Sequence, residues 1–167
     1  MSQSQAINLE TTLPPHDLDA EEAVLGSLLI DPEAIDCVVK WLLPQDFYRE
    51  KNRWTFECCL EAQRWGQPTN QIIVASELAR RHQLEASGGA AYISHLVSST
   101  PTSVHVEHYA QIVYRLSFMR KLISAANQIS AIGYESPPDV GEAIDRVDDI
   151  LSRLRNGVER TRGGFKL

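Results

Sequence analysis

Three histidines, His95, His105 and His108, lie with the carboxylate Glu107 in the stretch EASGGAAYISHLVSSTPTSVHVEHYAQIV, residues 85–113. The same stretch holds the pair Gly88-Gly89 and a Pro101-Thr102 turn. Residues of these types do three kinds of work: they ligate a metal that activates water, they cradle a phosphate, or they turn a corner. A helical metal-dependent hydrolase would use His95, His105 and His108 with a carboxylate. His105 and His108 are three apart and share a helix face, but a zinc site needs a complete ligand set and groups to orient it. Histidines in this setting are more often surface or packing residues. The phosphate reading fails on spacing, because the chain contains no Gly-x-x-x-x-Gly-Lys-Ser/Thr and no Gly-Lys pair. Gly88-Gly89 follows Arg-Arg-His-Gln-Leu-Glu and precedes AAYISHL, the pattern of a left-handed stop and a fresh helix start. AAYISHLVSS then reads as a short connecting piece, and the whole stretch as a structural corner.

The remaining reactive types give no site either. Cys37, Cys58 and Cys59 are odd in number and lack Cys-x-x-Cys spacing, so they read as free thiols in a reducing compartment. Trp41, Trp54 and Trp65 have only Arg53 and Arg64 interleaved near them and read as core or interface aromatics, not base-stacking platforms. The sequence therefore assigns no catalytic, cofactor-binding or metal-ligating residue.

The elements that carry these residues are helical. Residues 1–15 are polar and close on Leu13-Pro14-Pro15, the composition of a mobile tail. Asp17 or Asp19 caps a helix whose apolar face is Leu18, Val24, Leu25, Leu28 and Leu29, with Glu21 and Glu22 in its first turns and Gly26 where a neighbour packs close. Asp31-Pro32 starts a second helix running to about Leu43 and stopping at Pro44. A third spans about Glu50 to Trp65 and ends on Gly66. QIIVASELARRH fits either a strand, through Ile72-Ile73-Val74, or a short helix, with no partner strand visible.

The last third carries the clearest pattern. From Tyr109, the residues Ile112, Leu116, Met119, Ile123 and Ala126 recur in steps of three and four. A second stripe, Phe118, Leu122, Ala125, Ile129 and Ile132, runs beside it, so the helix must bury two faces. Gly133 to Pro138 breaks it. Asp139 caps a return helix, with Glu142 at capping-box distance and Val140, Ile144, Val147, Leu151, Leu154 and Val158 as its stripe. This predicts an antiparallel helical hairpin. One stripe is covered by the return helix; the surplus stripe calls for a second copy of the chain. Hairpin and dimer interface are thus assigned to Tyr109, Ile112, Leu116, Phe118, Met119, Leu122, Ile123, Ile129, Val140, Ile144, Val147, Leu151 and Leu154.

Composition agrees with this picture. With 43% apolar and 23% charged residues, the 167-residue chain can bury a core without disulfide or metal. It has no apolar run of about 20 residues to cross a bilayer, and the N-terminus is too polar for a signal peptide. A net charge of −6 argues against general DNA binding. The first fifty residues hold two basic and ten acidic side chains, net −8, while the rest is +2, an asymmetry that favours protein partners.

The motif order LPPHDLDAEEAVLGSLLIDPEAID, LPQDFYREKNRWTFE, LEASGGAAYISHLVSSTPTSVHVEHYAQIV resembles the N-terminal domain of the DnaB family of replicative helicases, from about Leu13 to Leu154. His105 replaces the Asn common there, and Cys58-Cys59 is unusual. The resemblance implies an all-α fold: a tail at 1–15, a compact helical head at 16–103, a long antiparallel hairpin at 104–157, and the start of an interdomain linker at 158–167. It implies hairpin dimers, three of which form a collar on a hexamer, and docking of primase and a helicase loader. It also implies an absent RecA-like domain that would bind ATP and magnesium and translocate 5' to 3', so that helicase activity lies outside these residues. A cytoplasmic, nucleoid-associated protein with little direct DNA binding by this domain follows. The helicase-binding domain of primase, a related shape, is the nearest rival. Partner docking is placed at the hairpin tip and the acidic outer face, Tyr134, Asp139, Asp145, Asp148 and Asp149.

Overall fold

The Asp17 carboxylate accepts the Ala20 N–H at 2.9 Å and opens α1, Leu18–Ile30, so the cap falls on the first of the two candidate aspartates. The structure, a computed structural model, describes residues 12–162, with side chains to 158. Its described residues form helices joined by turns, in the order α1, α2 (Glu50–Arg64), α3 (Gln71–Arg80), α4 (Gly89–Ser98), α5 (Val106–Glu135) and α6 (Val140–Arg162). α1 is the central strut of the head: Ala20, Val24, Leu25, Leu28 and Leu29 are all buried, with α2, α4 and α5 packed around it.

Two features follow directly from local chemistry. Gly26 brings α1 against α4 so closely that an added Cβ would lie 2.5 Å from the Leu96 carbonyl oxygen. Gly66 (φ +67°) closes α2 with the Gln67 N–H on the Ala62 carbonyl at 2.8 Å, a Schellman stop.

The structure corrects the sequence reading in three places and resolves it in a fourth. The segment after Asp31 is not an α-helix to Leu43 but a 3-10 turn over Pro32–Cys37 followed by turns. Bonds of i to i+3 type alternate with i to i+4 there, and the β-branched pair Val38-Val39 disfavours a regular helix, while Ala34, Ile35, Val38, Trp41 and Leu42 are still buried. The ambiguous segment resolves as the helix α3, because Asn70 caps the Ile72 and Ile73 N–H groups at 3.0 Å each. AAYISHLVSS is not a mere connector: it is α4, started by left-handed Gly88 (φ +101°) and Gly89 (φ +69°), and it buries Tyr92, Ile93 and Leu96 in the core. Finally, α6 continues through Arg162, so the start of the expected linker is helical as far as it is described. The expected mobile tail lies outside the described residues over 1–11, whereas Pro14 and Pro15 are tied down through His16 Nδ1 (2.7 Å) and Arg120 (2.8 Å).

Candidate functional site

The residues that opened the sequence reading do not converge. His95 is 58% exposed and lies 3.4 Å from Glu22. His105 and His108 are exposed, and the His108 ring meets Tyr109 edge-on at 5.6 Å. Among the described residues no three His, Cys, Asp or Glu side chains sit where they could share a metal ion. Burial pushes the Cys58 thiol up to about 12 and Cys59 higher still, while Cys37 is exposed. Trp41 is buried and Trp54 packs on the core, whereas Trp65 is exposed with its indole N–H on Glu61 at 3.2 Å.

The hairpin sorts the predicted stripe residues into three groups. Tyr109 and Ile112 are half-buried and pack against the head core beside Val106, Ala110 and Val113. The distal part of the second stripe faces α6: Ala125 and Ile132 are buried against Ile150, flanked by Ile129, Ala143, Val147 and Leu154. Ile150, the buried centre of α6, was missed because it lies one position before the Leu151 that fits the stripe spacing. The third group has no cover. Met119 (38%), Leu122 (44%) and Ile123 (46%) on α5 are exposed with Val140 (74%), Ile144 (55%) and Leu151 (38%) on α6. Leu116 and Phe118 are half-buried.

These uncovered residues share one face. Helical spacing of three and four places Met119, Leu122 and Ala126 on the same side of α5. In an antiparallel pair, that side continues into Val140, Ile144 and Leu151 of α6. The opposite side is polar, held by the Arg146–Glu135 ion pair at 2.7 Å and lined by Gln128 and Arg153. Tyr134 at the tip is 88% exposed, and Asp139, Asp145, Asp148 and Asp149 are all solvent-facing. Asp139 also caps α6 by accepting the Gly141 N–H at 2.7 Å.

A buried polar mount fixes the hairpin on the head, and no sequence periodicity announces it. Asp46, 1% exposed, accepts the Leu43 N–H at 2.9 Å, the Ser117 hydroxyl at 2.6 Å and the Lys121 ammonium at 3.0 Å. Arg120 donates to the Asp46 carbonyl at 2.6 Å and the Pro15 carbonyl at 2.8 Å, and lies over the Tyr48 ring, which stacks on His16. Deeper in the head, the buried Glu21 carboxylate accepts the Tyr48 and Arg49 N–H groups and the Asn52 amide, and Asn52 accepts the Tyr92 hydroxyl. The Lys51 ammonium lies 3.5 Å from the Tyr92 ring centroid; burial lowers the pKa of that lysine and raises that of Tyr92.

Residues 13–115, which make the head and the first turns of α5, match the family model described as DnaB-like helicase N terminal domain. The chain belongs to that family. It is 38% identical over 154 residues to the replicative DNA helicase DnaB of Geobacillus stearothermophilus, covering 92% of this chain and 34% of that protein. It is 36% identical over 150 residues to the replicative DNA helicase DnaC of Bacillus subtilis, covering 90% and 32%. The chain thus spans about a third of the length of these helicase relatives. A crystal structure of the DnaB N-terminal domain from Mycobacterium tuberculosis superposes with a TM-score of 0.80 at 35% identity, covering 85% of this chain and 99% of that one. A DnaB-like replicative helicase, solved in a study of its interactions with primase, matches with a TM-score of 0.66 at 28% identity, covering 81% and 31%. The all-α head with a long hairpin is therefore the DnaB N-terminal domain fold. No helix among the described residues is long and apolar enough to cross a membrane.

Proposed function

We propose that this domain is the assembly and partner-docking module of a replicative helicase, with its uncovered hairpin face pairing with a second copy. The observation that carries this is the apolar face of Met119, Leu122, Ile123, Val140, Ile144 and Leu151, exposed on an element that projects from the head. Such a contiguous apolar face is costly to leave in water and is relieved by self-association. Three such dimers would form the collar of a hexamer. ATP and magnesium would be handled by a further domain of the whole protein, with no catalysis by these residues and a cytoplasmic setting.

Native mass by light scattering over a wide concentration range tests the pairing. Dimers or their multiples that dissociate on dilution are expected, and Ile123→Asp or Leu122→Asp should leave monomers with unchanged helix content. A substituted chain that keeps the parental mass would remove the pairing face from this surface.

Primase docking is supported by family membership and by the relative solved in the study of primase interactions. We place the contact at the solvent-facing tip and acidic face, Tyr134, Asp139, Asp145, Asp148 and Asp149, with a helicase loader as a second partner of the same domain. Charge reversal at Asp145, Asp148 and Asp149 should weaken primase binding in a titration, and unchanged affinity would move the site elsewhere.

A further inference from the structure

The apolar packing of the long helix is interrupted where it leaves the head. Its first turns belong to the head cluster as far as Tyr114, and the distal cluster begins at Ala125. Between them Leu116 and Phe118 are only half-buried, and α5 is held to the head by hydrogen bonds from Ser117 and Lys121 to the Asp46 carboxylate and from Arg120 to the carbonyls of Asp46 and Pro15. Pulling the buried apolar groups of either cluster into water is costly, whereas a charge-assisted bond from a half-exposed lysine exchanges with water and ions. Lys121 is 46% exposed although its partner Asp46 is 1% exposed.

Solvent reaches the two cations from both sides. Lys121 borders a groove of about 380 Å³ between α5 and α6, floored by Phe118, Ala125, Ile150 and Leu154. Arg120 borders a groove of about 550 Å³ between the Thr12–Pro15 segment and α5. The Asp46 carboxylate is met by Lys121 on α5 and the backbone N–H of Leu43 from its own turn, and Arg120, on the Asp46 carbonyl, also feels Glu21 and Arg53 of the head.

We propose that Asp46, Ser117, Arg120 and Lys121 form a releasable latch that fixes the angle of the hairpin to the head, so that opening the Lys121–Asp46 contact re-aims the hairpin without unfolding either part. The head keeps its own core when the latch opens, because that core ends before Ser117. The hairpin keeps its own because Ala125, Ile132 and Ile150 lie beyond Lys121. Ser117 and the Leu43 N–H continue to satisfy the Asp46 carboxylate in the open form, so the carboxylate is not left bare. The latch stands whether or not hairpins pair.

Distance measurements between two spin labels test it on the whole chain. Exposed Cys37 carries the head label, and Ala131→Cys, on the exposed polar side of distal α5 away from the apolar face, carries the other; excess unlabelled chain suppresses distances between copies. The parental latch should give one narrow distribution. Lys121→Met, which keeps the apolar stem, and Asp46→Asn should each shift or widen it with helix content unchanged. Salt raised to about 1 M, where the screening length falls to about 3 Å, should move the parental distribution the same way. Should Asp46→Asn lose helix content, Lys121→Met and the salt series decide. Distributions that stay the same in Lys121→Met and in high salt would overturn the latch. Native mass on the same samples separates this from the pairing reading, since loss of dimers with an unmoved distribution counts against pairing alone.

Discussion

Gly26 and the cysteines show how single residues report the packing of the head. A methyl group at Gly26 would meet the Thr100 side chain and the Leu96 carbonyl oxygen, and backbone cannot rotate away as a side chain does. Gly26→Ala should therefore destabilise the domain by about 1–3 kcal/mol, the usual cost of overpacking. At Gly157, within α6, an added Cβ meets nothing within 4 Å, and Gly157→Ala should be neutral or stabilising by up to about 1 kcal/mol. Chemical denaturation of the two variants checks the contrast. The thiols give a second reading of the same core. Cys58 and Cys59 are buried and held as neutral thiols by desolvation, so a thiol reagent at neutral pH should titrate one group, Cys37, in the native protein and three after denaturation. Rapid native reaction at two or three groups would mean that α2 does not bury its apolar face as described.

At the scale of elements, the two apolar clusters are unequal. The head cluster joins α1, α2, α3, α4 and the first turns of α5, whereas the distal hairpin rests on Ala125, Ile132 and Ile150 with a few half-buried neighbours. Local stability follows the number of buried apolar groups, so amides in the distal hairpin should exchange with solvent faster than those of α1. Ile132→Ala should cost about 2 kcal/mol at the hairpin, the low end for a buried isoleucine with partial exposure nearby, and leave the exchange of α1 unchanged. Hydrogen exchange followed residue by residue checks both statements; α1 exchange accelerated to match the hairpin would mean one cooperative unit instead of two. The same division explains why α5 can be one unbroken helix and still belong to two bodies. Its early turns are fixed by apolar burial and its exit by Asp46, Arg120 and Lys121.

At the scale of the whole molecule, opposite salt responses separate the two surfaces. Burial of an apolar face is not weakened by screening, so dimerisation through Leu122, Ile123, Ile144 and Leu151 should hold or strengthen as salt rises from about 0.1 to about 1 M, while contacts that depend on exposed charges fade. Sedimentation across that range checks this, and dimers that dissociate at high salt would point to a charged interface instead. The acidic excess of the first fifty residues does not form a free patch throughout. Asp46 is buried in the mount and Glu21 deeper in the head, and Glu22 faces Arg49 at 3.7 Å and His95 at 3.4 Å, so part of that charge is structural.

The sequence by itself determined α1, α2 and the hairpin, because caps such as Asp17 and Gly66 and stripes at steps of three and four are local chemistry written in neighbouring residues, whereas α3 and α4 were settled only by their place in the fold. It also carried the family, through motifs spread along nearly the whole chain. What it left open needed distances between residues far apart in the chain. The meeting of Asp46 with Ser117 and Lys121, more than seventy positions away, has no local signature. Nor did spacing tell which stripe of α5 would be covered: both stripes have the same period, and only the crossing of α5 over α1 and the return of α6 decided that Tyr109 and Ile112 belong to the head, Ala125 and Ile132 to the hairpin seam, and Met119, Leu122 and Ile123 to the surface. Periodicity fixes which residues share a face, and tertiary packing alone fixes what that face meets.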